Sequence, residues 1–110
     1  KYGKNALIAK DFLASKEYYS HLIKNDPNNH LALHMRGVSK FNLKDYKGAI
    51  NDFSKAINLE QKSKISFNNR GIAKMGLKNY QGALNDFSKA IEIDNNYVNA
   101  FLSRGTILCS

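Results

Sequence analysis

Residues 30–63 and 64–97 can be laid over one another without a gap, and 15 of the 34 positions are identical. The shared core reads Arg-Gly, Lys, Leu-Lys, Tyr, Gly-Ala and then Asn-Asp-Phe-Ser-Lys-Ala-Ile. A unit this short cannot cover its own apolar face, so copies must stack on their neighbours to make one continuous core. The register runs on in both directions. Phe101 and Arg104-Gly105 repeat Phe67 and Arg70-Gly71, while Gly3, Phe12, Ser15, Tyr19 and Pro27 fall on glycine, aromatic, small, aromatic and turn positions upstream. The expected organisation is one domain, 1–110: a first unit truncated at its start (1–29), complete units at 30–63 and 64–97, and the first helix of a further unit at 98–110.

Within a unit, apolar and small residues recur at spacings of three and four, as in Leu33, Gly37 and Phe41, and again in Ala49, Ile50, Phe53, Ala56 and Ile57. This predicts two amphipathic helices, with chain reversals near Lys44-Asp45 and Lys78-Asn79. One Pro and seven Gly in 110 residues argue against a turn-rich β fold, so the fold class is all-α. Small residues at Gly37, Ala49 and Ala56, and at Gly71, Ala83 and Ala90, let the paired helices approach closely.

These positions carry a resemblance to the tetratricopeptide repeat family over essentially the whole chain. Gly37, Gly71 and Gly105 match its eighth position, and Ala49 and Ala83 the small twentieth. Phe53 and Phe87 match the aromatic twenty-fourth, and Ala56 and Ala90 the twenty-seventh. Leu33, Phe67 and Phe101 replace the family's frequent Trp, and Gln61 and Asn95 its turn Pro, which Pro27 keeps. The resemblance implies a right-handed superhelical solenoid of antiparallel helix pairs, whose first helices line a concave groove that takes peptides or helices. Carried onto this chain, the groove comprises Leu31, His34, Met35, Val38, Phe41 and Asn42 in one unit. The next contributes Ile65, Asn68, Asn69, Ile72 and Met75, and the last Asn99, Leu102, Ser103 and Thr106. A family subgroup clamps the terminal carboxylate of chaperones with Lys and Asn, then Asn, then Lys and Arg. Here His34 and Val38 replace the first pair, Asn69 matches, and Asn99 and Ser103 replace the last. Chaperone-tail clamping is therefore rejected.

Arg36, Arg70 and Arg104 precede each unit's glycine, with Lys40 and Lys74 one turn later. Asp52 and Asp86 lie sixteen residues after Arg36 and Arg70 on the facing helix, and are read as their inter-helix countercharges in preference to leaving the arginines for a ligand.

Catalytic signatures are missing: no phosphate-binding glycine loop, nucleophile elbow or paired carboxylates occur, and no cofactor is expected. His30 and His34 have the spacing of two metal ligands, but two ligands are not a site, and they are read as a helix-terminal and a groove histidine. The net charge of +8 can draw nucleic acid or an acidic membrane non-specifically, yet 14 of the 17 basic residues are Lys spread along the chain. A dedicated nucleic-acid surface would cluster Arg with aromatics, so nucleic acid is the disfavoured partner. A Lys excess also follows from the base composition of a coding gene. No apolar run approaches a membrane span. The lone Cys109 excludes an intrachain disulfide and suits a reducing compartment, the cytoplasm. It is read as a small hydrophobe rather than a reactive thiol.

The sequence is therefore read as a non-catalytic protein-interaction scaffold. Lys1 and the mid-unit ends read as an excised piece of a larger protein. Self-association through exposed Phe101, Ile107 and Leu108 is the alternative, with nucleic-acid binding behind it.

Overall fold

The computed structural model describes the backbone of residues 2–108 and the side chains of residues 11–107. Among the described residues there are six helices and no strand: α1 (Tyr2–Asn25), α2 (His30–Asn42), α3 (Tyr46–Leu59), α4 (Lys64–Gly76), α5 (Tyr80–Ile93) and α6 (Val98–Leu108). The chain is an all-α solenoid. Each helix packs on the next, and α2, α4 and α6 also touch in series, so the first helices of successive units form one wall.

The reversals are built by capping. Lys44 N–H donates to Phe41 at 2.9 Å and Asp45 N–H to Lys40 at 2.8 Å, the paired bonds that close a helix C-terminus. Lys44 and Lys78 take φ of 67° and 64°, a left-handed conformation in which glycine is usual. Asp45 and Asn79 then cap the second helices by accepting from Gly48 and Gly82 N–H. Asn29 and Ser63 cap α2 and α4 in the same way.

Lys10-Asp11-Phe12 resembles Lys44-Asp45-Tyr46, yet α1 runs through it unbroken. The first unit is thus represented by one continuous helix. A left-handed lysine costs about 1–2 kcal/mol, which a full helix pair offsets by packing and a short leading segment does not.

The core is divided between neighbours. Ala49 and Phe53 of α3 bury with Ala73 of α4, joined by Val38, Phe41 and Ile50. Ile57 of α3, Phe67 of α4, Ala90 of α5 and Ala100 of α6 form the second cluster. The two glycines have a more particular role than backbone approach alone. A Cβ on Gly37 would lie 2.7 Å from the Phe53 ring, and one on Gly71 would lie 2.6 Å from Phe87, so these glycines seat aromatic rings.

Candidate functional site

The wall made by α2, α4 and α6 carries two neighbouring clefts. A cleft of about 600 Å³ between α4 and α6 is lined by Lys64, Ile65, Asn68, Asn69, Ile72, Tyr97, Asn99, Leu102 and Ser103. A smaller one of about 220 Å³ between α2 and α4 is lined by Val38, Phe41, Asn42, Phe53, Asn69 and Ile72. Asn69 and Ile72 belong to both, so the two are parts of one trough. Its lining mixes amides with apolar side chains, and Leu102 stands 65% exposed.

Asn68 is the unusual member. Its side chain is buried, with the residue only 3% exposed, and its Oδ1 has no hydrogen-bond partner. A buried acceptor left unpaired costs about 1–3 kcal/mol, so the fold carries a cost at this position.

Asn69 is held from α2. His34 Nδ1 lies 3.0 Å from Ser66 Oγ, and Nε2 lies 3.4 Å from Asn69 Nδ2. An amide nitrogen only donates, so Nε2 accepts and Nδ1 carries the proton toward Ser66. The Ser63 hydroxyl donates to Ser66 Oγ at 3.0 Å and completes the chain. Burial pushes the His34 pKa below its ordinary value, and nearby His30 lowers it further. His34 is thus a neutral bridge between first helices, its ring 5.3 Å from that of Phe53.

Behind the wall, Arg36 Nε and Nη2 donate to the two Asp52 oxygens at 2.7 and 2.8 Å, and Nη1 reaches Ser20 Oγ at 3.3 Å. Lys40 shares the same carboxylate at 3.1 Å. The arrangement repeats: Arg70 donates to Asp86 at 2.9 and 2.7 Å and to Ser54 at 3.2 Å, with Lys74 at 3.0 Å. Each cluster ties three successive helices and commits its cations to the fold. At the mouth of the trough Lys64 bonds Asp94 and lies 5.3 Å from the centre of the Tyr97 ring. That bond, with one from Asn96 N–H, holds the Asp94 carboxyl below its usual range.

Of the groove residues read from the sequence, Leu31, His34, Met35, Met75 and Thr106 line neither cleft. Leu31 points out at the start of α2, and His34 is taken up by its bridge. Lys64 and Tyr97 line the larger cleft but were not read from the sequence. They stand at the two ends of one unit, and the Lys-Tyr-Asp cluster they form is non-local, so no spacing signals it. Cys109 lies outside the described residues. Among the described residues no group of three or more His, Cys, Asp or Glu could hold a metal ion, and no helix is long and apolar enough to cross a membrane.

A stack of short helix pairs with one wall of first helices defines a helical-repeat solenoid. Residues 31–63 and 65–97 each match the tetratricopeptide repeat, together more than half of the chain, and the chain belongs to the tetratricopeptide repeat family. No curated protein sequence matches it significantly. Among solved structures it is similar to the first TPR of Spaghetti (RPAP3) bound to the HSP90 peptide SRMEEVD, with 22% identity, 98% of this chain and 88% of that chain covered, and a TM-score of 0.87. The Arabidopsis OM64 TPR domain gives 23% identity, coverage of 96% and 87%, and a TM-score of 0.86. The second TPR domain of human RPAP3 in complex with an HSP70 peptide gives 23%, 96%, 88% and 0.86. At these identities the likeness establishes the fold.

Proposed function

We propose that this chain is a non-catalytic scaffold that holds an extended segment of another protein in the trough of α2, α4 and α6. The observation that carries the reading is the larger cleft, where Asn68, Asn69 and Asn99 stand together among Ile65, Ile72 and Leu102. Amide side chains can both donate to and accept from the backbone of an extended peptide. Ile65, Ile72 and Leu102 supply apolar surface for side chains on alternate sides of the segment. Related solved domains hold HSP90 and HSP70 peptides, which supports the class of ligand. The lone cysteine fits work in a reducing compartment such as the cytoplasm.

The segment we propose is not an acidic chaperone tail. The clamp positions carry His34, Val38, Asn99 and Ser103, and Lys64 at the mouth is already bonded to Asp94. Micromolar binding of a free acidic carboxyl-terminal tail peptide, lost on its amidation, would overturn this exclusion.

Selection of displayed random peptides against the chain tests the main reading. Selected peptides should shift the backbone amides of α4 and α6 around Asn68, Asn69 and Asn99, and should lose affinity for an Asn69→Ala variant. Peptides that shift other elements and tolerate the variant would contradict it.

A further inference from the structure

The bridge from α2 to α4 has a direction. Ser63 Oγ accepts the Ser66 N–H at 3.3 Å and sends its own hydrogen to Ser66 Oγ at 3.0 Å. Ser66 Oγ is thereby placed to accept from His34 Nδ1–H, 3.0 Å away. The two hydroxyls hold the imidazole in one tautomer, with the lone pair of Nε2 aimed at Asn69 Nδ2.

Asn69 is the polar residue shared by both clefts of the trough. One of its N–H groups is spent on His34, and its Oδ1 is bonded to no described residue. The end of the amide left open is therefore an acceptor. Protonation of His34 acts at this point: Nδ1 already carries a hydrogen, so the added proton arrives at Nε2 and opposes the Asn69 N–H. Half a turn of the amide about its terminal bond brings Oδ1 to Nε2–H and leaves Nδ2 open in its place.

We propose that His34 is a positioning residue for the trough: it sets which end of the Asn69 amide meets the bound segment, an acceptor when the imidazole is neutral and a donor when it is charged. The inference rests on the scaffold reading above. The neutral form suits a segment that offers a backbone N–H to Asn69 and repels a carboxylate, in keeping with the exclusion of an acidic tail. Around the imidazole, α3 presents the Phe53 ring and α4 the Ser66 and Asn69 side chains, all uncharged. His30, one turn earlier on α2, is the titratable group that bears on it. The other ions of these helices are committed elsewhere: Arg36 and Lys40 to Asp52, Arg70 and Lys74 to Asp86, and Lys64 to Asp94. Burial first, and then His30, hold the His34 pKa below 6.5, so the reversal belongs to acid conditions.

Two measurements test this. In the ¹⁵N-labelled free chain the ring nitrogens of His34 should report the Nδ1–H tautomer at about pH 7.5, and the Asn69 side-chain amide should shift in step with His34 as the pH falls to about 5. An Nε2–H tautomer at the higher pH, or an Asn69 amide indifferent to the titration, would overturn the proposal with no ligand present, so its failure is separable from that of the scaffold reading. The second measurement uses display-selected peptides free of His, Asp and Glu, acetylated and amidated, so that only the chain takes up protons. Over the same range their affinity should fall about tenfold in the parent, as expected for one hydrogen bond replaced by opposed donors. The affinity should stay level in His34→Gln and keep its fall in His30→Gln. A level profile in the parent, a fall that survives His34→Gln, or one abolished by His30→Gln would each contradict the assignment.

Discussion

At the scale of single residues, equivalent positions in the repeat carry different neighbours, and this separates side-chain chemistry from context. Gly37→Ala should destabilise by about 1–3 kcal/mol, because the new Cβ would press on a ring that is buried and cannot withdraw. Gly105→Ala should stabilise by about 0.5–1 kcal/mol, since only helix propensity changes. Denaturant melts of the two variants check the opposite signs. His34 gives a pH test. Its folded pKa lies below the ordinary 6.5, so the unfolded chain binds the proton more readily. Stability is therefore full above that ordinary value and falls as the pH drops below it toward the folded value. Thermal melts between about pH 7.5 and 5 should show the fall in the parent and a flatter profile in His34→Gln, whereas equal slopes would exclude His34 as the cause. The Arg36–Asp52 spacing of sixteen residues was legible because a repeat shows which residues face each other. The His34–Ser66–Asn69 bridge was not, because it crosses between units and each member alone reads as an ordinary helix-surface residue.

At the scale of elements, periodicity located the two helices of each complete unit, and the reversals at Lys44-Asp45 and Lys78-Asn79 could be read from the break in apolar spacing. The continuity of α1 could not. The local residues at Lys10-Asp11 match those that turn elsewhere, and the outcome depends on how much packing a reversal gains, which local sequence does not record. The helices are tied together by the two shared carboxylates. Asp52 is fully buried and takes both Arg36 and Lys40. Asp52→Ala should cost about 3–5 kcal/mol because it strands two cations, while Arg36→Met combined with Asp52→Leu should recover most of the loss. Chemical denaturation of the single and double variants measures both. A double variant as unstable as Asp52→Ala would mean that the packing at this joint, and not its charge, holds α2 to α3.

At the scale of the whole molecule, the two core clusters each draw on helices from adjacent units, so stability is shared between neighbours. The trough was legible from the family register, which placed Asn68, Asn69, Ile72 and Asn99 on one side. The burial of Asn68 without a partner was not legible, because it depends on how closely α4 and its neighbours pack around that amide. In the proposed reading the Asn68 side chain serves the trough at a cost to the fold, and Asn68→Leu tests it. Similar in size and free of the orphaned oxygen, this variant should melt at a higher temperature than the parent, by an amount equivalent to about 1 kcal/mol, and should no longer bind peptides selected on the parent. A lower melting temperature with peptide binding intact would contradict it.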